Sequence, residues 1–462
     1  MTAPSETLAE PGGRTPAPAA PPAPAGQPGT AGPGGADTER DLSAPGFPEQ
    51  EVRRRARAGA AAAFPPAEDY GRVLFGAGRP GPADGAAAEP DALDALRIVP
   101  PLFLPKRLAK LIDLGREPDY RDVELATPIG GFASSLPVYV SATGSTRAAG
   151  GDVGLALSRQ AGALGIPMVI GENVVPVNGY GRLGEAADRT LLGRLRAYAE
   201  ELPDGLGGVA VQQSTEDADA EVWNLVHSDP AALPLLESGR LAFELKVGQG
   251  AKPGLGGMTV LDAAAAAALG DRFGLDPLFG DGRVLRSATP GTFTAEILRQ
   301  QIRLMRNNYP RVRIWVKLYP GRDVAEAARV AHEAGADAVV VDGAEGGTGW
   351  APGVFLPHVG LPLAECLRRL APAPPPSLLV SGRIWEGARA VKSLALGARA
   401  VGLGRAALIA AAEDRESGLR RFAECLALEL RLLISALGKY APEDLEREDV
   451  WSPADFPETP NR

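Results

Sequence analysis

The stretch that decides the fold is VRIWVKLYPGRDVAEAARVAHEAGADAVVVDGAEGGTG, from Val312 to Gly349. A mostly apolar run, VRIWVKL, is followed by an Ala-rich segment with helical spacing of its apolar residues, and then by a second run, DAVVVDG. Runs that stay apolar at successive positions indicate strands covered on both faces, as in a parallel sheet. The stretch therefore predicts a strand, a helix and a second, parallel strand of an α/β protein.

The same alternation continues on both sides of this unit. The strand candidates are Leu136–Ala142, Ile166–Gly171, Gly208–Gln213, Leu241–Val247, Val312–Leu318, Asp337–Gly343, Ser377–Gly382 and Arg399–Gly404. Eight strands, each followed by a helical segment, match the count for a (β/α)8 TIM barrel, which we place at residues 118–450. A doubly wound open sheet shows similar alternation, and counting strands leaves that alternative open.

Composition excludes several classes of protein. The 462 residues carry a formal net charge of -9, which provides no basic surface for nucleic acid or an anionic membrane. Two cysteines, Cys366 and Cys425, are too few for a disulfide framework or for an iron–sulfur cluster bound by three or four thiolates. The sequence contains no membrane-length apolar run, no signal-peptide pattern and no metal-ligand spacing between His227 and His358. We therefore expect a cytoplasmic protein with no nucleic-acid, membrane or metal partner.

The chain outside the predicted barrel divides into three parts. Residues 1–45 are dominated by Pro, Ala, Gly, Ser and Thr and predict a disordered tail, because they bury too little apolar surface to offset the entropy of ordering. Residues 46–117 predict a segment that wraps the barrel and includes a helix whose arginines, between Arg53 and Arg57, form a solvated face. Within this segment, PPLFLPKRLAKLIDL (Pro100–Leu114) is the element that we expect to dock on the barrel. Residues 451–462 predict a C-terminal tail.

Glycines and polar residues close the predicted strands. In a barrel the loops that follow the strands converge on one rim, where the active site lies. Two of these turns, Ser381–Arg383 (SGR) and Gly402–Arg405 (GLGR), each open a helix, whose free N–H groups and dipole favour an anion. Outside a barrel they would be ordinary tight turns, whereas within a barrel they follow strands 7 and 8, the usual phosphate site. The candidate cofactor-binding residues on this rim are Ser141, Thr143, Lys317, Gly346, Gly347, Ser381, Gly382, Arg383, Gly402, Gly404 and Arg405.

Lys317 is a charged residue at the end of an apolar strand, and a buried ammonium group requires an anionic or electron-rich partner. One possible partner is the edge of a flavin ring, where a cation stabilises the anionic reduced form. The other is an interior carboxylate such as Glu244 or Asp342. A neighbouring loop, ELKVGQGAKPGLGG (Glu244–Gly257), combines glycines, which let a ligand approach the backbone, with the positive charge of Lys252.

Three segments carry a family resemblance. ELKVGQGAKPGLGG, VKLYPGRDVAEAARVAHEAGADAVVVDGAEGGTGWAP and SGRIWEGARAVKSLALGARAVGLGRAAL resemble the flavin-binding barrel domain of glutamate synthases and their stand-alone relatives. The resemblance implies a (β/α)8 barrel that holds FMN and reduces an imine formed from 2-oxoglutarate, or a related imine. It implies that Lys317 contacts the flavin and that the SGR and GLGR turns hold the FMN phosphate.

The resemblance also implies roles in catalysis and substrate binding. Gln249 and Lys252 would bind a carboxylate or keto oxygen of an acidic, 2-oxoglutarate-like or glutamate-like substrate, and Arg272 is a weaker candidate because its register is uncertain. Glu172 matches the acidic residue of the family's GEG turn. The implied activity is that of an FMN-dependent oxidoreductase on CH-NH2 donors, with a place in glutamate biosynthesis.

The sequence departs from the family after the last strand. Family members carry a cysteine-rich loop for a [3Fe–4S] cluster there, whereas this chain has AALIAAAEDRESGLRR, with Glu413 near the first cysteine position. Electrons would then come from a bound reductant, a different partner or the substrate itself. Because the chain starts MTAPSE and not with a cysteine nucleophile, we expect any amidotransferase to be a separate subunit, as a reductase would be.

Two other functions stay open. The chain could be a non-catalytic FMN-binding subunit of a larger complex, or a flavin oxidoreductase repurposed for a specialised biosynthetic pathway. Oxidation of 2-hydroxy acids is disfavoured, because flavin barrels of that class need a histidine base near a late strand end, where SGRIW offers Arg383.

Overall fold

The computed structural model describes residues 46–65, 91–144, 153–171, 191–213, 222–250, 252–269, 274–280, 282–287, 291–347 and 351–452. The predicted tail of residues 1–45, all but two residues of the predicted C-terminal tail, and the candidate site residues Glu172 and Arg272 lie outside these ranges. Within them, every helix is too short or too polar to cross a membrane.

Eight parallel strands close into a barrel. In chain order they are β1 (Val138–Thr143), β2 (Met168–Ile170), β3 (Val209–Gln213), β4 (Leu241–Lys246), β5 (Arg313–Leu318), β6 (Ala338–Asp342), β7 (Leu378–Ser381) and β8 (Ala400–Leu403). Each strand pairs with the next, and β8 returns to β1, where Val401 lies opposite Val138. This closure confirms the predicted (β/α)8 barrel and excludes the open sheet, which would leave two edge strands.

Helices follow the strands and surround the barrel. Three precede it: α1 (Glu49–Ala58), α2 (Ala92–Ala95) and α3 (Pro105–Leu114). The others are α4 (Val153–Leu164), α5 (Leu191–Ala199), α6 (Val222–Ser228), α7 (Leu233–Glu237), α8 (Ala263–Leu269), α9 (Ala295–Asn308), α10 (Val324–Glu333), α11 (Phe355–His358), α12 (Leu363–Leu370), α13 (Gly387–Ala395), α14 (Arg405–Glu413) and α15 (Gly418–Ala436). Cys366 and Cys425 are buried on α12 and α15, as expected.

Helix α9 illustrates how local sequence forms these elements. Thr294 caps its first turn by accepting a hydrogen bond from the Ile297 N–H at 3.1 Å. Leu298, Ile302 and Met305 then recur at helical spacing and are buried, while the opposite face is charged.

A hairpin closes the barrel at the N-terminal ends of the strands. Its arms are Thr127–Ile129 and Phe132–Ser134, and the N–H of Gly207, just before β3, donates to it at 2.7 Å. The Trp315 indole of β5 donates from Nε1 to the Gly130 carbonyl at 2.9 Å. Gly130 has a φ of +57°, and a Cβ at this position would collide with the indole, so the turn requires glycine. This plug leaves the opposite rim for the chemistry.

Helix α1 packs against α14 and α15, and it buries two of the arginines that we expected on a solvated face. Arg53 forms ion pairs with Glu49 and Glu413, each at 2.7 Å, and Arg55 pairs with Glu429 at 2.8 Å. The expectation is wrong for these two residues, because their partners Glu413 and Glu429 come from helices more than three hundred positions away in the chain. The other two arginines of the cluster are exposed.

The segment Pro100–Leu114 contacts residues near Tyr440 and Asp444 through basic side chains. Lys106 forms an ion pair with Asp444 at 2.6 Å, and the Lys110 ammonium lies 5.9 Å from the centre of the Tyr440 ring. Its apolar side chains remain largely exposed, and no residue of α3 is buried. Acidic and aromatic partners, Asp444 and Tyr440, thus hold the basic side of the helix.

Candidate functional site

The inward-facing residues of the barrel change from apolar to polar along the strands. Next to the plug, the interior is lined by residues such as Tyr139, Val169, Ala210, Trp315 and Val340. Two positions further along the strands, on the same face, the buried side chains are Ser141, Gln212, Glu244, Lys317, Asp342 and Ser381. We call these six residues the polar ring. It lies at the carboxyl ends of the strands, where the active sites of barrels are built.

Lys317 and Asp342 form the central ion pair of the polar ring. The Lys317 Nζ atom lies 3.1 Å from Asp342 Oδ2, and the same oxygen accepts the Gly250 N–H at 3.2 Å. Ser381 Oγ donates to the other carboxylate oxygen. One aspartate thus connects the loop after β4 with β5, β6 and β7. The interior carboxylate that the sequence left open as a partner of Lys317 is present, and an ammonium group has three donors, so a second partner is compatible with it.

Glu244 is a fully buried carboxyl group in the same ring. Gln212 Nε2 donates to its Oε1 at 2.5 Å, and Oε2 has no hydrogen-bond partner within the described part of the chain. Burial raises the pKa of Glu244 to about 7, against the opposing effects of the Lys317 charge and of the hydrogen bond from Gln212. Glu244 can therefore gain or lose a proton near neutral pH.

The two glycine-rich motifs of the sequence contact each other. A Cβ on Gly250, after β4, would collide with the Gly343 carbonyl after β6 and would lie 3.0 Å from Gly346 Cα. Glycine is therefore required for the two loops to pack backbone against backbone. By contrast, Gly347 is exposed, and a Cβ there would meet no described atom within 4 Å.

The ends of β7 and β8 bring the predicted phosphate-binding turns side by side. The strands pair with Ser381 opposite Gly402, and Gly382 and Gly404 follow them directly. A Cβ on Gly402 would collide with Ser141 Oγ, whereas the nearest described atom to a Cβ on Gly404 would be 3.9 Å away. Gly404 is the N-cap residue of α14, so open space adjoins the helix N-terminus.

Arg405 begins α14. Its guanidinium lies 5.9 Å from the centre of the Phe47 ring, and burial lowers its pKa, against the effect of Glu49. Its backbone adjoins the open space at Gly404, whereas its guanidinium lies toward Phe47.

Arg383 directs its side chain away from this open space. It has a φ of +55°, and its Nη1 atom lies 2.8 Å from Asp94 and 3.4 Å from Asp91. The fully buried Arg389 binds the same two carboxylates at 2.5 and 2.8 Å. Asp91 is the N-cap residue of α2, and an aspartate at a helix start is a signal that can be read from the sequence. The pairing of Asp91 with Arg383 and Arg389 could not be predicted, because these residues are far apart in the chain. The prediction that Arg383 binds a phosphate now rests on its backbone N–H, because its side chain is bound to Asp91 and Asp94.

Ser141 and Thr143 end β1. Ser141 belongs to the polar ring, and Thr143 Oγ1 donates to the Ser141 carbonyl at 3.0 Å. Arg194 of α5, which we did not predict, donates to the Thr143 carbonyl at 2.9 Å. Burial lowers the pKa of Arg194 to about 10, and this arginine fixes the backbone at the end of the strand.

Gln249 and Lys252 lie on the loop after β4, on both sides of a residue outside the described ranges. Lys252 is buried and Gln249 is half-buried. The chain then forms a three-stranded antiparallel sheet of Met258–Leu261, Gly274–Asp276 and the central strand Val284–Ser287. Arg286 of the central strand is also buried. Arg286 could not be singled out from the sequence, because the burial that distinguishes it from other arginines depends on this sheet.

Fold and site together define a (β/α)8 barrel with a ring of buried polar and charged side chains at the carboxyl ends of its strands. The chain belongs to the family defined by the conserved region in glutamate synthase, which it matches over residues 179–414, about half of its length. The family resemblance carried by the three glycine-rich segments is thereby confirmed.

Curated relatives match over a shorter part. The archaeal-type glutamate synthase [NADPH] of Thermotoga maritima is 36% identical over 182 residues, which cover 36% of this chain and 34% of the relative. A glutamate synthase large subunit-like protein of Rhizobium meliloti is 37% identical over 186 residues, which cover 37% of this chain and 40% of the relative. The matched part of the chain thus spans well under half the length of these relatives.

Solved structures share the fold at low sequence identity. A soluble mutant of the membrane-associated (S)-mandelate dehydrogenase from Pseudomonas putida superposes with a TM-score of 0.53 and 20% identity, covering 88% of this chain and 99% of that one. At this identity the likeness establishes the fold alone.

Proposed function

We propose that this chain is an FMN-dependent oxidoreductase of the glutamate synthase type, acting on the C–N bond of an amino acid or its 2-imino acid. The observation that carries the proposal is the buried Lys317–Asp342 pair on the rim, in contact with the QGAKPGLGG loop through Gly250. Its support from comparison is the match to the family of glutamate synthases.

The rim residues fit FMN on three counts. The space beside Gly404, at the N-terminus of α14 and next to Arg405, suits a phosphate. Lys317 at the strand end suits the electron-rich edge of a flavin ring. Gly347 leaves its backbone open to a flat ligand. When bound, FMN supplies the hydride transfer of the reaction, and the protein supplies orientation and charge.

The residues of the chain have distinct roles in this proposal. Asp342 holds the Lys317 ammonium in place, and Ser381 and the Gly250 N–H hold Asp342. With FMN bound, Lys317 would supply a positive charge beside the flavin ring. Glu244 holds a proton within the same ring at a pKa suited to exchange near neutral pH.

We assign substrate binding to the loop and the three-stranded sheet that follow β4. Lys252 and Gln249 would bind the carboxylate or keto oxygen of an acidic substrate such as 2-oxoglutarate or glutamate, and a site closed to water would protect the imine. We add Arg286 as a second cation for a dicarboxylic substrate, in preference to Arg272, because it is buried on the sheet that follows Lys252. Glu172, which lies outside the described residues, remains the proposed match to the acidic residue of the family's GEG turn.

Oxidation of 2-hydroxy acids is not part of the proposal, although mandelate dehydrogenase shares the fold. Flavin barrels that oxidise 2-hydroxy acids need a histidine base near a late strand end. After β7 this chain has Arg383 instead, and the Arg383 side chain is bound to Asp91 and Asp94. None of the six side chains of the polar ring is a histidine.

One observation favours a second candidate, a non-catalytic FMN-binding subunit. Glu413, near the position of the first cluster cysteine in family members, is bound by Arg53 and Arg57 at 2.7 Å each. An ion-pair cluster therefore takes the place where the family's relay would deliver electrons. If the chain is an enzyme, a bound reductant, a reductase subunit or the substrate supplies them, and a separate amidotransferase would supply ammonia.

Two steps test the proposal. The purified chain is reconstituted with FMN, and its visible spectrum is recorded. It is then mixed anaerobically with NADPH, glutamate or other amino acids, and bleaching of the flavin is followed. Rapid bleaching by one of these, reversed by the matching 2-oxo acid with ammonia, supports the enzyme. Tight FMN binding without bleaching by any of them supports the non-catalytic subunit or a flavin oxidoreductase with a different substrate, and failure to bind FMN refutes all three.

A further inference from the structure

Helix α3 is attached to the barrel by its charged face. Lys106 is paired with Asp444 at 2.6 Å, Lys110 lies over the Tyr440 ring, and Arg107 donates to the Pro118 carbonyl at 3.0 Å. Such an attachment inverts the usual arrangement of an amphipathic helix, whose apolar face is the one that is buried.

The apolar face of α3 and of the turn before it is left exposed. The exposed fractions are 94% for Leu102, 87% for Phe103, 59% for Leu108 and 69% for Ile112. Leu108 and Ile112 are one helical turn apart and share a face. We call these four residues the α3 patch. Side chains of this size expose together roughly 500 Å² of apolar surface, which is at the upper end of the range for monomers and marks an interaction site.

We propose that the α3 patch is the centre of a two-fold symmetric interface between two copies of this chain. A two-fold axis across α3 places the helices of the two copies antiparallel, so that Leu108 of one copy meets Ile112 of the other. The same surface serves on both sides, as an isologous interface requires. Stable interfaces bury about 800 Å² on each partner, so the patch supplies most of the area and its surroundings supply the rest.

The charges beside the patch complement each other under this symmetry. Lys106 and Asp113 are seven residues apart, which is two helical turns, so they lie on the same side of α3. In an antiparallel pair, Lys106 of each copy therefore meets Asp113 of the other. Asp113 is exposed, and 46% of the Lys106 side chain is exposed beside its ion pair with Asp444. A second copy thus satisfies both the apolar face and its charged edge.

Sedimentation equilibrium of the full chain tests this interface over a range of concentrations. We expect a dimer for the unmodified chain. Ile112→Glu should weaken it by at least about a hundredfold in dissociation constant, because each dimer would bury two carboxylates in an apolar interface. Asp113→Lys should weaken it by about tenfold, because Lys106 would then face a like charge. Both variants should keep the far-UV circular dichroism spectrum of the original, since these side chains are exposed in the single chain, and any fall in their unfolding midpoint should depend on protein concentration.

Leu304→Glu is the matched control, because Leu304 is exposed to the same extent as Leu108, at 59%, but lies on α9. This variant should remain dimeric. Three results would overturn the proposal: an unmodified chain that is monomeric at every concentration, a dimer that persists in Ile112→Glu, or a dimer that Leu304→Glu disrupts equally. Capture of a different protein by a monomeric chain through the α3 patch would likewise overturn it.

Discussion

Lys317 and Asp342 stand at the ends of adjacent barrel strands, and 3.1 Å separates the lysine Nζ from the aspartate Oδ2. Both side chains are buried, so neither charge is stabilised by bulk water. Removal of one partner leaves the other buried and uncompensated. Loss of one partner alone therefore destabilises the barrel, and in our proposal the pair also positions the charge that contacts the flavin.

Lys317→Met keeps the length of the side chain and removes its charge. We expect the dissociation constant for FMN to rise by at least about tenfold and flavin reduction to slow, because the reduced ring loses its cation. We also expect the apoprotein to lose about 3 kcal/mol of unfolding free energy, because Asp342 is left unpaired. Fluorescence titration with FMN and urea unfolding measure the two effects.

The double variant Lys317→Met with Asp342→Asn separates these two roles. With both charges gone, most of the lost stability should return, whereas FMN affinity should stay low. A double variant that binds FMN as tightly as the original chain would contradict the flavin contact of Lys317.

Glu244→Gln should change how stability depends on pH. Burial raises the pKa of Glu244 from 4.5 to about 7, so the folded chain holds this proton more tightly than the unfolded chain. The resulting stability is fully present below about pH 4.5 and is lost as the pH rises through about 7. Glutamine mimics the neutral acid, so the variant should lack this fall, which amounts to about 3 kcal/mol.

Urea unfolding at several pH values between these limits measures the slope. Glu365→Gln is the control, because hydrogen bonds from Arg368 and Arg369 hold the pKa of this surface carboxyl at about 2, below the window. A slope that is unchanged in Glu244→Gln would show that another group titrates.

Gly404→Ala tests the proposed phosphate position. The added methyl group would lie 3.9 Å from its nearest described neighbour, so we expect little change in the stability of the apoprotein. If the FMN phosphate occupies the space beside α14, affinity should fall by about tenfold or more, because the methyl group takes part of that space. Differential scanning fluorimetry with and without FMN reads both quantities.

Gly402→Ala is the contrasting variant. Its methyl group would collide with Ser141 Oγ, so the apoprotein itself should lose about 1–3 kcal/mol of unfolding free energy. Gly404→Ala with normal FMN affinity would mean that the phosphate binds elsewhere.

Arg389→Met should release the segment that carries Asp91 and Asp94. Arg389 is fully buried and neutralises both carboxylates, so its loss should cost about 3 kcal/mol of unfolding free energy. Hydrogen exchange at residues 91–95 should accelerate. Arg329→Met, which removes an exposed ion pair with Glu333, should cost no more than about 0.5 kcal/mol. Equal losses in the two variants would refute the structural role of Arg389.

The barrel could be predicted from the sequence because each strand and helix is indicated by residues close together in the chain. Strand runs such as VRIWVKL are apolar along their length, and capping and periodicity define helices such as α9. The polar residues that close the strands were also readable, since a charge at the end of an apolar run is conspicuous. For the same reason Lys317, Asp342 and Glu244 could be identified as interior groups, although their partners could not be chosen.

Only the tertiary structure decided which of these groups meet. Closure and register of the barrel pair Lys317 with Asp342, Gln212 with Glu244 and Gly250 with Gly343. Glutamates of distant helices pair with Arg53 and Arg55 of α1 and so bury them. Asp444 and Tyr440 contact the basic side chains of α3. The sequence alone determined the elements, because backbone propensity and hydrophobic periodicity act over a few residues. The pairings of buried charges join residues that are from tens to hundreds of positions apart in the chain, which local patterns do not encode.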